Sequence, residues 1–194
     1  VHVYDIPNHI QYPICMMPWI CPDNYESSME NLEKTPADIV MGHFEIQGFA
    51  MHRGLPSHEG LSRELFSRFS LVFSGHYHHR SVQDNIRYLG NPYELTWQDY
   101  NDPRGFHLFD LSTLDIQFVE NPNVMFHRIT YDDKENTITE ILGKDLEKYT
   151  NTYVKVVAIN KTNPHLFDRF MDKLYKVNPI DIDRKSTRLN SSHT

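Results

Sequence analysis

Cysteine is scarce in this chain, with only Cys15 and Cys21 among 194 residues. So few thiols exclude a disulfide-stapled secreted scaffold and a cysteine-rich structural zinc module, and they fit a reducing, cytoplasmic setting. A basic excess is also missing: 19 Lys and Arg stand against 26 Asp and Glu, for a formal net charge of -7. That balance excludes nucleic-acid binding by bulk attraction, so any DNA contact has to be local or made through metal ions. No apolar run approaches the roughly 18 residues that a membrane helix needs, and no charged-then-apolar leader opens the chain. There is no internal repeat.

What is present is enough apolar content, 39%, to bury a core in one domain or one and a half. Val1 to Tyr4 and Pro13 to Trp19 read as strands, and Asn24 to Lys34 as a polar helix capped at Asn24 and closed before Pro36. Asp38 to Met41 is a short strand leading into Gly42-His43. Glu59 to Phe69 has helical spacing through Leu61, Leu65, Phe66 and Phe69. Leu71 to Phe73 is a buried strand, and Ser81–Gln83 with Ile86–Leu89 flank the hairpin signal Asp84-Asn85. Gly105 to Phe109 and Leu114 to Val119 complete a β-meander. Past Pro122 the pattern reads β-α-β-α through residues 126–131, 137–146, 153–157 and 164–174. The expected organisation is therefore a core over 1–121, a small α+β unit over 122–183, and a non-native or disordered tail over 184–194. Because the chain opens on Val1 in mid-strand texture, it is expected to begin inside a domain.

The stretch that carries chemistry is Ser74-Gly75-His76-Tyr77-His78-His79, placed after a strand end where α/β sheets put their sites. Gly75 allows a sharp turn, and His76 and His78 can aim two imidazoles at one small volume. A bare His-x-His leaves two readings open, a metal site or a polar surface loop. His43, at the end of a second strand, adds a third imidazole. Three imidazoles without thiolates favour an open, catalytic metal site over a saturated one. Glu45 and Asp99 stand in no pattern that would bridge two ions, so the residues alone give half a site. His79 is expected in solvent or behind the ligands, and His52, His58 and His107 in structural or surface roles.

Gly42-His43 and Gly75-His76-Tyr77-His78 resemble the last two sequence blocks of the calcineurin-like metallophosphoesterase family. Tyr88-Leu89-Gly90-Asn91-Pro92-Tyr93-Glu94-Leu95-Thr96 and Asn101-Asp102-Pro103-Arg104-Gly105-Phe106 resemble its DNA-repair nuclease branch, the SbcD-like subunits. Pro18-Trp19 and Gly42-His43-Phe44-Glu45 bring the chain nearer to the T-even phage form of that branch.

The resemblance implies an α/β fold, a two-sheet sandwich flanked by helices, with a capping unit after it. It also implies a site for two Mn²⁺ ions, Mg²⁺ being the alternative, with His43 and His76 as ligands of one metal and His78 of the other. The family's remaining ligand blocks and its catalytic histidine have no match here, so the chain is expected to be a truncated and inactive portion of a nuclease subunit. Implied partners are DNA, a coiled-coil ATPase of the SbcC type and a second copy of the subunit. Tyr77 either packs or stacks on DNA, and Arg104 either closes a turn onto a carboxylate or meets a phosphate. Two other functions remain: a phosphodiesterase acting on nucleotides or phosphoproteins, and a non-catalytic remnant that binds DNA or a partner.

Overall fold

A computed structural model describes residues 8–9, 14–52 and 55–186. The chain is α/β and divides into two compact units, Val1–Asn121 and Pro122–Thr194. The first holds β1 (Asn8–His9), β2 (Ile14–Met16), α1 (Tyr25–Lys34), β3 (Ile39–Gly42), β4 (Ala50–His52), β5 (Leu55–Pro56), β6 (Leu71–Ser74), β7 (Ser81–Gln83), β8 (Ile86–Tyr88), β9 (Gly105–Phe109) and β10 (Ile116–Glu120). Six of these strands form one sheet in the order β1-β2-β3-β6-β8-β7, in which β2, β3, β6 and β8 run parallel and β1 and β7 lie antiparallel on the edges.

Both faces of the central strands are buried, as a parallel sheet requires. The pleat sends alternate residues to opposite sides. Cys15, Val40 and Val72 face a core shared with Leu32 of α1, Phe66 and Phe69. Ile14, Ile39, Leu71 and Phe73 face the other way, against Phe109, Leu111 and Ile116 of the β9–β10 hairpin and its turn. This second contact makes the sandwich.

Several sequence expectations need correction. Glu59 to Phe69 is not an α-helix; only Arg63–Phe66 makes a short 3-10 turn. The segment is tied at both ends, by Leu61 N–H to the Glu45 carbonyl and by Ser70 N–H to the Asp38 carbonyl. Asn24 stands at the α1 N-cap but does not cap it; its side chain accepts from Cys21 N–H at 2.8 Å and donates to the Trp19 carbonyl at 2.9 Å. The expected strand over Val1 to Tyr4 lies outside the described residues.

The second unit contains β11 (Phe126–Asp132), α2 (Ile138–Gly143), β12 (Tyr153–Asn160), α3 (Pro164–Lys176) and β13 (Asp181–Ser186). Its three strands are all parallel, in the order β11-β12-β13. β13 was not anticipated, because Asp-Ile-Asp-Arg-Lys-Ser has little strand character. Residues 184–186, assigned to the tail, pair with Val156, Val157 and Ala158 of β12. Backbone pairing to a buried neighbour overrides weak propensity there. Among the described residues no helix is long and apolar enough to cross a membrane.

The loop that follows β3 is fastened to the sheet by two buried hydroxyls. Ser74 Oγ accepts from Phe44 N–H at 3.0 Å and donates to the Phe44 carbonyl at 2.8 Å. The Tyr88 hydroxyl donates to the same carbonyl at 2.9 Å and accepts from Ile46 N–H at 3.0 Å. Tyr88→Phe leaves the Ile46 N–H buried without that partner. It is expected to lower the unfolding free energy by about 1–3 kcal/mol in urea titration, and a change indistinguishable from zero would show that this hydroxyl does not hold the loop.

Candidate metal and nucleic-acid site

The histidines converge because of strand register. Gly42 of β3 is directly opposite Ser74 of β6, so the chain leaves both strands at the same level and His43 emerges beside Gly75-His76. Gly42 has no substitute at this point: a Cβ would fall 2.5 Å from the Phe44 ring, which folds back over the strand end. Gly75 does not take a left-handed conformation, and a methyl there would meet His43 Nδ1 at 3.7 Å, an ordinary contact. The left-handed glycine packed against this loop is Gly90, after β8, whose φ is +73° and whose absent Cβ would lie 2.9 Å from the His78 carbonyl.

The His43 and His76 rings meet edge to face with centroids 5.0 Å apart. His43 is exposed, but the covered part of its ring and the neighbouring His76 and His78 hold its pKa below the ordinary imidazole value. It is therefore neutral and free to donate a lone pair. His76 is half-buried, and its Nδ1 is shielded from water with no hydrogen-bond partner. His78 is exposed on the same loop, with its carbonyl accepting from Asn91 N–H at 3.1 Å and from the Arg104 guanidinium. These features fit two imidazole donors of a metal site with a third beside them. Among the described residues, however, no three or more His, Cys, Asp or Glu side chains stand close enough together to hold an ion as they are.

Tyr77 and Arg104, the candidate DNA contacts, are both buried in this structure. Tyr77 is 1% exposed, turned inward with its ring 4.6 Å from that of Tyr88, and no base can reach its face. Arg104 is 6% exposed and pairs with Asp99 at 2.9 Å and Asp102 at 2.6 Å. Asp99 also accepts from Leu95 and Thr96 N–H at 2.7 and 3.0 Å, in a turn opened by the capping-box spacing Thr96-x-x-Asp99. His79 hydrogen-bonds Asp102 through Nδ1 at 2.8 Å. Together with Asp99, the Asn101 to Phe106 run thus sets Asp102 and Arg104 against the backbone of the histidine loop, where Arg104 donates to the His78 carbonyl.

His43 and His76, but not His78, open onto a cleft of about 710 Å³ whose wall also includes Trp19, Tyr25 and Glu45. Trp19 and Tyr25 carry no site signal in the sequence, and Glu45 figures there only as a bridging carboxylate without a pattern. The available signal was positional: Met17 N–H bonds the Met41 carbonyl at 2.7 Å, so Trp19 leaves β2 at the same sheet edge that carries the histidines. His58 is on the surface, and His107 packs against Phe118 with its pKa lowered by burial and by Arg80.

The fold and site together define an α/β protein with a histidine-bearing cleft at the carboxyl edge of parallel strands, where such sheets place ligands. The chain is 35% identical over 181 residues to Exonuclease subunit 1 of Enterobacteria phage T4, a match covering 91% of this chain and 50% of that protein. It spans about half the length of this curated relative. No protein-family model matches it.

Arg104→Ala strands Asp99 in the interior without its cation. It is expected to destabilise the first unit by about 3–5 kcal/mol in chemical denaturation, with Arg104→Lys recovering only part because an ammonium lacks the planar fork. A loss below about 1 kcal/mol would make the pair a surface-like contact and remove the positioning role.

Proposed function

We propose that this chain contributes part of the catalytic core of a metal-dependent DNA nuclease subunit acting in recombination and repair. The observation that carries the reading is the edge-to-face pair of His43 and His76, presented at one sheet edge beside His78. The likeness to an exonuclease subunit supports it over most of the chain's length. In this reading His43 and His76 ligate one cation and His78 the other. The chemistry supplied by two bound divalent cations, manganese by resemblance or magnesium, is polarisation of the scissile phosphate and activation of a water. This chain's residues then orient the donors: Ser74 and Tyr88 hold the His43 loop, and Arg104 holds His78. The further ligands come from outside the described residues. Because the net charge is -7, DNA is held through the cations and local contacts rather than by a basic surface. A coiled-coil ATPase of the SbcC type and a second copy of the subunit are the proposed partners.

A second reading, a chain that binds DNA or a partner without turnover, is favoured by the lack of a complete donor group among the described residues. Mn²⁺ binding and cleavage separate the two. Mn²⁺ binding by calorimetry is expected in the chain and about tenfold or more weaker in His76→Ala, since a lost ligand costs at least as much as a lost partner behind one. Cleavage of linear duplex DNA with Mn²⁺ is expected to be absent from this chain alone. It should appear in a polypeptide spanning the full length of the matched relative, and be abolished there by His78→Ala and by chelation. No Mn²⁺ binding, or cleavage insensitive to His78→Ala, would overturn the proposal.

A further inference from the structure

The cleft beside the histidines is built unlike a phosphate site. Its lip is Trp19, whose side chain is 71% exposed although its carbonyl is fixed by the Asn24 amide at 2.9 Å. Tyr25, half exposed at the start of α1, lines the same space, and Ile20 and Leu61 supply apolar wall. A single exposed apolar residue needs no explanation, but two aromatic rings lining a cleft large enough for a small molecule do. Beside the imidazoles of His43 and His76, that wall carries the carboxyl side chains of Asp23, Glu26 and Glu45, and among the described residues no Lys or Arg lines it. Three carboxylates repel a free phosphate. They do not repel a neutral heterocycle, and each can accept hydrogen bonds from an exocyclic amino group. Aromatic faces in turn offer stacking to any base taken out of a duplex.

We infer that the Trp19–Tyr25 cleft is a subsite for one unstacked nucleobase bearing an exocyclic amino group, with the attached backbone directed toward His43 and His76. The subsite rests on the nuclease reading for the nature of its ligand. It goes further in giving that nuclease a preference for cytosine, adenine or guanine over thymine at one position, and a need for a frayed or single-stranded end.

The test is equilibrium binding of labelled short homopolymers of dC, dA and dT to the chain by fluorescence anisotropy. EDTA is present at low salt so that neither metal nor cleavage enters. Oligo-dC and oligo-dA are expected to bind about tenfold or more tighter than oligo-dT, and Trp19→Ala to weaken the dC complex by about tenfold while Trp19→Phe retains most of it. Circular dichroism of Trp19→Ala should match the parent, because the indole lies outside the core. Glu26→Ala paired with Asp23→Ala should narrow the gap between dC and dT. Equal affinity for dT, an unchanged affinity in a folded Trp19→Ala, or displacement of oligo-dC by inorganic phosphate alone would each overturn the subsite. Base binding without Mn²⁺-dependent cleavage in the longer polypeptide would contradict the nuclease reading and leave the subsite standing. Cleavage without base preference would do the reverse.

Discussion

The alignment of Gly42 with Ser74 across two parallel strands is the constraint on which the site depends. Parallel pairing of β3 with β6 forces their ends to one edge, and with them His43 and His76. A one-residue slip would send every side chain of the strand to the other face and separate the imidazoles. The register is protected by burial on both sides, where Val40 and Val72 face one core and Ile39 and Phe73 the other. Ser74 then acts twice, as the last paired residue of β6 and as the hydroxyl that grips Phe44. Core packing and site geometry are thus one problem, solved by the same residues.

Electrostatics divides the site into distinct regions. Behind the histidine loop, Asp99, Asp102 and Arg104 form a largely buried, ion-paired group that holds backbone in place, with Arg104 Nε left without a hydrogen-bond partner. In front of it the cleft carries carboxylates and aromatic rings. Between them stand imidazoles, whose neutral form suits cations. On the proposed nuclease reading this arrangement stands in for general attraction to phosphate, which a net charge of -7 does not supply.

The strands β3, β6 and β9 and the hairpin about Asp84-Asn85 were legible because apolar runs and turn residues coincide there. The division of the chain after Asn121 was marked by Pro122 between two asparagines. The helix expected over Glu59 to Phe69 failed because Phe66 and Phe69 are spaced for a helix but serve a turn clamped at both ends. β13 was hidden because its partner, not its own composition, makes it a strand. The neighbouring positions of His43 and His76 could be expected from two strand ends. The inward turn of Tyr77 agrees with the commoner role of an aromatic in such a loop, which is packing. For Arg104 a turn-closing carboxylate was legible only in kind, because its partners, Asp99 and Asp102, are identified only once the turn is closed.

The central claim is that the strand-end histidines hold a divalent cation, and anomalous diffraction at the manganese edge, from crystals of this chain grown with Mn²⁺, tests it most directly. The account predicts a peak at coordinating distance from His43 and His76, or from His78. A clear peak only among Asp23, Glu26 and other cleft carboxylates, or no peak at the histidines in Mn²⁺-saturated crystals, would contradict it.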